Sequence, residues 1–298
     1  MPIRLLALDL DGTLLNSRGE ITVRNRAALQ AARARCGVRV ALVTGRRFRD
    51  ARPVALELGL DVPVIAHNGA LTKHARTLET VEAKLLSLAA AHEVLRIGRA
   101  RKEDAMISDD PMGLGLMVYD QISADNPALQ KYIAWARRIH GEEADSAVRR
   151  VHSLETYLDH APVHIAFSGT CARMRALSES LEHELGRQVR VSTTVYVKQD
   201  FALVDVLHPE ASKGAGVAAV AAEYELTRQE VMAMGDNFND LEMLDFAGTG
   251  VLMGNADSLL RERAQSYHIT ATNDEDGVAA AIERFILQDQ RGRIFHQT

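Results

Sequence analysis

A chain that sets two carboxylates two residues apart, directly after a buried apolar strand, has few folds open to it. Ile3-Arg4-Leu5-Leu6-Ala7-Leu8 carries one charge in six residues. Such a run cannot line a solvated surface, so it reads as an interior strand. Asp9-Leu10-Asp11-Gly12-Thr13 follows at once. On an extended chain positions i and i+2 share a face, which puts Asp9 and Asp11 together at the strand's C-terminal end. Open α/β sheets bind ligands at that edge. Two acids in one cleft repel and are costly to desolvate unless a cation joins them. The pair therefore asks for a metal and offers a carboxylate nucleophile beside a carboxyl acid/base. Taken alone, Asp11-Gly12 also reads as a hairpin turn, and the residues downstream must decide.

Strand and helix signals alternate at both ends of the chain. Residues 24–36 are rich in Ala and Arg and read as a helix with Gly37 as its C-cap. A strand over 38–43 ends in Thr44-Gly45-Arg46. A helix over 48–58 and a strand over 64–66 follow, the latter ending in His67-Asn68-Gly69. The rhythm resumes at Lys213. Ser212 caps a helix over 213–225, and Thr227 to Glu230 has the spacing of a capping box. A strand over 231–234, a helix over 239–246, a strand over 249–253, and helices over 256–264 and 274–287 complete the pattern. This alternation predicts a Rossmann-like, doubly wound parallel sheet with helices on both faces. Residues 288–298 are polar and expected to fray.

The middle differs. Residues 84–208 hold irregular segments such as Asp109-Asp110-Pro111-Met112-Gly113. They also hold helices over 128–140 and 172–185, and strands over 162–167 and 188–195. This reads as a separate mixed α/β domain inserted between two halves of the core, 1–83 and 209–298. A length of 298 residues fits two domains.

Composition narrows the partners. A net charge of −5 argues against a general binder of nucleic acid or anionic membrane. The two cysteines, Cys36 and Cys171, form neither a disulfide scaffold nor a zinc site, as in a reducing compartment. The N-terminal apolar run is cut by Asp9, unlike a signal peptide. No stretch approaches 18 consecutive apolar residues. The expectation is a soluble, cytoplasmic protein.

Four sites fall just after predicted strands or at a helix start. They are Asp9 with Asp11, then Thr44 with Gly45, then Lys213, then Gly235-Asp236-Asn237-Phe238-Asn239-Asp240. A small hydroxyl beside a glycine can give a phosphate one side-chain and one backbone donor. A lysine in a first helical turn adds charge where the dipole favours anions. Asp236 and Asp240 are four apart, so on a helix both face one ion. Each has a plainer reading alone: a strand-end turn, a solvated lysine, an N-cap with a first-turn acid. Gly248-Thr249-Gly250 precedes a strand, so it does not read as a dinucleotide loop. Met232, Met234, Met243 and Met253 read as core filler.

Together, in this order, the sites resemble the haloacid dehalogenase-like hydrolase superfamily, and within it Cof-type phosphatases with a large mixed α/β cap. The family pattern is a DxDGT motif, a Thr or Ser ending a second strand, a Lys opening a helix, and a GDxxND motif. Thr44-Gly45-Arg46, Asn68-Gly69-Ala70, Ser212-Lys213-Gly214 and Met253-Gly254-Asn255-Ala256 are similar to Cof-type signatures as well. The resemblance covers roughly residues 1–83 and 209–285. One departure is Asp205, in an apolar strand where family members often carry Glu.

The resemblance implies a Mg²⁺-dependent phosphatase acting on small phosphorylated metabolites. Asp9 would attack phosphorus and form an aspartyl-phosphate. Asp11 would protonate the leaving alcohol and then activate water. Asp9, the Asp11 carbonyl and Asp236 would hold Mg²⁺. Thr44, Lys213, Asn239 and the amides of Leu10 and Gly45 would bind phosphoryl oxygens, with Asp240 and Arg46 just outside. Two alternatives stay open at this point. One is a phosphohexomutase of related fold. The other is a receiver-like signalling module, which fits the inserted domain poorly.

Overall fold

The N-terminal apolar run forms β1 (Leu5–Asp9), buried along its whole length. The computed structural model describes residues 1–263 and 266–288. The strand starts two residues later than its apolar pattern suggests and ends on Asp9 itself. α1 (Val23–Cys36) is capped by Thr22, whose side chain accepts from the Asn25 amide, and ends at Gly37 in the left-handed region, as its sequence foretold. β2 (Arg39–Val43), α2 (Phe48–Glu57), β3 (Val64–Ala66) and β4 (Leu71–Lys73) follow.

The middle of the chain holds β5 (Thr80–Ala83), α3 (Leu88–Ala100), β6 (Ala105–Asp109), β7 (Leu116–Tyr119), α4 (Pro127–His140), α5 (Ala144–Ala147), β8 (Val148–Arg150), α6 (Leu154–Tyr157), β9 (His164–Gly169), α7 (Cys171–Leu185), β10 (Arg190–Tyr196) and β11 (Phe201–Leu207). The alternation then resumes with α8 (Lys213–Glu223), β12 (Val231–Gly235), α9 (Leu241–Phe246), β13 (Thr249–Leu252), α10 (Ser258–Arg263), β14 (His268–Ile269) and α11 (Gly277–Ile282). The single helix expected over 274–287 is broken. Asp276 takes a left-handed φ of 59° after a short turn at Asn273–Glu275, and a π-helical turn, Glu283–Leu287, extends α11. The frayed tail expected from 288 onward falls on residues 289–298, outside the described residues.

Two units emerge, 1–46 with 50–77 and 212–298, and 47–49 with 78–211. These edges lie a few residues outside 84–208. Thr80 donates its hydroxyl to the Pro111 carbonyl at 3.3 Å, which ties β5 to the insert. Strands of the first unit run β14-β13-β12-β1-β2-β3-β4. All neighbours are parallel except the β3–β4 hairpin. Successive strands step one way from β1 to β3 and the other way from β12 to β14, so the order reverses between β1 and β12. That is where ligands bind in open α/β sheets. The core there is Leu5, Ala7, Val43, Ile65, Val217, Val231, Met243 and their neighbours. All four methionines read as core are fully buried.

The insert has its own sheet, ordered β10-β11-β9-β6-β7-β8. Only the β7–β8 pair is parallel. Ile107, Val118, Ile165, Phe167 and Val204 pack with Val94, Leu95, Leu177 and Leu181 of α3 and α7. Met106, Met117 and Tyr119 meet Leu129 and Ile133 of α4. Asp109-Asp110-Pro111-Met112-Gly113 begins the β6–β7 connection. Asp205 lies on β11, 3.4 Å from the His164 imidazole of β9.

Candidate active site

Strands β12, β1, β2 and β3 are adjacent and parallel, so their C-terminal ends share one edge of the sheet. Asp236, Asp9, Thr44 and Asn68 stand at or just beyond those ends. Lys213 opens α8, whose N-cap Ser212 accepts from the Ala215 amide at 3.0 Å. Its ammonium donates to Asp9 Oδ1 at 2.6 Å and Asp240 Oδ1 at 2.5 Å. All three groups are nearly or completely buried.

Asp9, Asp236 and Asp240 each place a carboxylate oxygen within 4.8 Å of the others. Burial pushes the Asp9 carboxyl well above its ordinary range, Lys213 pulls it down, and Asp240 and Asp236 push it up again. Burial and then Asp240 raise Asp236 to about 7, against the hydrogen bond from Thr13. Burial works to lower Lys213, but Asp240 and Asp9 outweigh it and hold the ammonium above its ordinary value. One lysine does not balance two buried acids and a part-buried third. An all-oxygen donor set with surplus negative charge fits a hard divalent cation such as Mg²⁺.

The structure corrects the expected arrangement of Asp236 and Asp240. They do not share a helical face, because α9 starts only at Leu241 and a 3₁₀ turn, Phe238–Asp240, lies between. Asp240 Oδ2 accepts the amides of Asp236 and Asn237, both at 2.9 Å, while Oδ1 holds Lys213. Both its oxygens are thus engaged, so it shapes the loop and anchors the lysine.

Asp11 also departs from the strand geometry. β1 ends at Asp9, so the alternation stops before reaching it. Asp9 turns to Lys213, whereas Asp11 is half exposed and takes a two-pronged contact from Arg46, Nε to Oδ2 at 2.8 Å and Nη2 to Oδ1 at 2.6 Å. Gly12 makes this bend possible, with φ of 82°. A Cβ there would lie 2.3 Å from Asp236 Oδ2, so only glycine lets the first loop close onto the fourth.

Thr44 Oγ1 accepts the Arg46 amide at 3.1 Å, which leaves the hydroxyl proton to donate. Leu10 is fully buried, and Gly45 lies against the Asn68 carboxamide. Asn239 Nδ2 donates to Asn68 Oδ1 at 2.9 Å. Its Oδ1 is buried with no hydrogen-bond partner among the described residues.

Sequence reasoning passed over three side chains that build this edge. Thr13 donates to Asp236 Oδ1 at 3.0 Å. Asn255 donates to the Gly12 carbonyl at 2.8 Å and accepts from the Asn273 amide. Asn68 receives Asn239. All three lie inside motifs already conspicuous in the sequence, but a string of letters does not show which neighbour each polar side chain serves.

The haloacid dehalogenase-like hydrolase family matches residues 6–282. Pyridoxal phosphate phosphatase YbhA of Escherichia coli (strain K12) is 30% identical over 299 residues, covering 96% of this chain and 100% of its own. 5-amino-6-(5-phospho-D-ribitylamino)uracil phosphatase YcsE of Bacillus subtilis (strain 168) is 29% identical, covering 96% of each chain. The crystal structure of a haloacid dehalogenase-like hydrolase from Bacteroides thetaiotaomicron matches with a TM-score of 0.75 at 28% identity, over 95% of this chain and 99% of that one. No helix among the described residues is long and apolar enough to cross a membrane. The chain belongs to the haloacid dehalogenase-like hydrolase family, and within it is a phosphoric monoester hydrolase.

Proposed function

We propose that this phosphatase hydrolyses small phosphorylated metabolites, sugar phosphates among them, through an aspartyl-phosphate on Asp9, in the cytoplasm and with Mg²⁺ as cofactor. The observation that carries this reading is the buried Lys213 ammonium 2.6 Å from Asp9 Oδ1, with Asp236 beside it at the reversal of strand order. The named activities of YbhA and YcsE, both on phosphorylated small molecules, support the substrate class.

Phosphate-monoester hydrolysis needs up to ~10²¹-fold acceleration. General acid–base help supplies only about 10²–10⁴, so positioning, charge and a covalent split must supply the rest. Lys213 holds one oxygen of Asp9 and leaves the other to attack phosphorus. Asp240 fixes Lys213 in turn. Asp11 gives its proton to the leaving oxygen, then takes one from the water that hydrolyses the aspartyl-phosphate. Arg46 holds the ionised Asp11 through both oxygens, and one of them must come free and take a proton from solvent before Asp11 can protonate the leaving group. Thr44, Lys213, Asn239 and the amides of Leu10 and Gly45 receive the phosphoryl oxygens. Asp9, Asp236 and the Asp11 carbonyl would hold Mg²⁺, which supplies the positive charge that lets a carboxylate meet an anionic phosphate. The inserted domain would serve as the cap whose side chains choose among leaving groups.

The test is a denaturing quench during turnover with Mg²⁺. Wild type should carry acyl-bound phosphate and release the rest to water, while Asp9→Asn carries and releases none. Near-normal turnover in Asp9→Asn would sink the covalent route. Transfer to a second sugar hydroxyl would point to a mutase, and a long-lived phosphoprotein without turnover to a receiver.

A further inference from the structure

We propose that Asn68 is a positioning residue for the phosphoryl group: its side-chain carbonyl fixes the Asn239 carboxamide with the donor end toward the site. This rests on the reading of Asn239 as a phosphoryl ligand. Asn68 sits in the turn that joins β3 to β4, where His67, Asn68 and Gly69 have φ of 50°, 52° and 90°. Two consecutive non-glycine residues in the left-handed region are uncommon, and Asn is among the side chains that tolerate it. The turn is fastened to the Thr44–Arg46 loop. The Asn68 amide donates to the Thr44 carbonyl at 3.0 Å and the His67 amide to the Arg46 carbonyl at 2.9 Å. On its other side Gly69 abuts α8, since a Cβ there would lie 1.9 Å from the Ser212 carbonyl oxygen. The turn thus sits between the loop bearing Thr44 and the helix bearing Lys213.

From this place the buried Asn68 Oδ1 accepts Asn239 Nδ2 at 2.9 Å, across 171 residues of sequence. A carboxamide has nearly the same shape at its donor and acceptor ends, so sterics alone do not choose between them. Phosphate requires the donor end. With Asn68 Oδ1 facing it as acceptor, one N–H of Asn239 is held and the other remains for a phosphoryl oxygen. Turned over, Asn239 would present a carbonyl oxygen to an anion and two amide groups would lose their pairing. Asn68 therefore sets the polarity of a ligand borne on a different loop.

The experiment is a double-mutant cycle on the full chain with p-nitrophenyl phosphate, and with inorganic phosphate as competitive inhibitor. Asn68→Gly keeps the left-handed backbone and removes the acceptor. It should raise KM and the inhibition constant of phosphate about tenfold, an ordinary coupling between contacting residues. In an Asn239→Ala background the same change should add nothing. Equal factors in both backgrounds would make Asn68 merely structural and overturn the proposal. If Asn239→Ala alone left both constants unchanged, the assignment of Asn239 would fail and the proposal with it. Should Asn68→Gly not fold, Asn68→Asp keeps an acceptor, so Asn239→Ala should retain its effect there. Loss of that effect would overturn the proposal.

Discussion

The metal-free protein should lose stability as pH rises from 5 to 7, because Asp9 and Asp236 both hold a proton more tightly in the folded chain, and Asp236 can be isolated by mutation. Burial and Asp240 lift Asp236 from 3.8 to about 7. An acid raised in this way binds its proton more tightly in the folded than in the unfolded chain. Its contribution is most favourable below 3.8 and declines as pH rises through the interval up to 7, at most about 1.4 kcal/mol per pH unit. From pH 5 to pH 7 that integrates to roughly 2 kcal/mol. His160 in the insert, held between Asp159 and Asp109, is also raised and loses its stabilising charge with rising pH, in the same direction. The measurement must therefore be a difference between wild type and Asp236→Asn in EDTA. Trp135, the single tryptophan, lies in the insert on α4, so amide exchange in β1 and β12 is the better probe of the core. The wild-type minus mutant difference should fall by about 2 kcal/mol over that range. Magnesium at 100 times its dissociation constant should restore about 2.7 kcal/mol at pH 8 and less at pH 5, where protons compete. A difference that stays flat or climbs with pH would refute the account of Asp236 as a buried acid awaiting a cation.

Three further outcomes follow from the same geometry. Lys213→Met strips the cation from Asp9 and Asp240 and should cost about 3–5 kcal/mol, less at pH 5 than at pH 8; urea melts showing equal loss at both would contradict this. Gly12→Ala pushes against Asp236 Oδ2 and should raise the magnesium needed for half-maximal activity by about tenfold or more; an unchanged titration would show that Asp236 is no ligand. Arg46→Ala breaks an ion pair whose side chains are 34% and 52% exposed, worth less than about 1 kcal/mol. The melting temperature should hold while hydrolysis of a sugar phosphate falls more than that of p-nitrophenyl phosphate, and equal falls would detach Arg46 from leaving-group protonation.

What the sequence showed and what it hid divide along physical lines. The parallel core was legible because continuous apolar strands alternate with helices, and Gly37 and Ser212 mark helix ends by local chemistry alone. The insert was harder. β6 and β7 are strands of five and four residues separated by a loop with Pro111, Gly113 and Gly115, and β8 has only three residues. Runs that short lack a period to read. In the candidate site, Asp9, Thr44, Lys213 and Asp236 stood out in the sequence and lie at one sheet edge, whereas the parts played by Thr13, Asn68 and Asn255, and the pairings of all of them, did not. Spacing put Asp236 and Asp240 on a helix, whereas backbone amides of the turn claim one Asp240 oxygen and Lys213 claims the other. Nor could spacing pair Asp11 with Arg46 or Asn68 with Asn239, contacts that only the closed sheet creates.

The position of β1 between β2 and β12 also sets an order of assembly during synthesis. Leu5 pairs with Val231, so one neighbour of the central strand leaves the ribosome more than two hundred residues after it. Residues 78–211 are contiguous, and the sheet of β6 to β11 within them needs no strand made later, while the first strand still waits for β12. Pairings this distant in sequence form slowly, and an unpaired apolar strand is prone to stick to others meanwhile. A nascent chain released before Gly235 would thus present a finished insert, an open sheet edge and half an active centre. Such a fragment is a substrate for chaperones and proteases and has no route to catalysis.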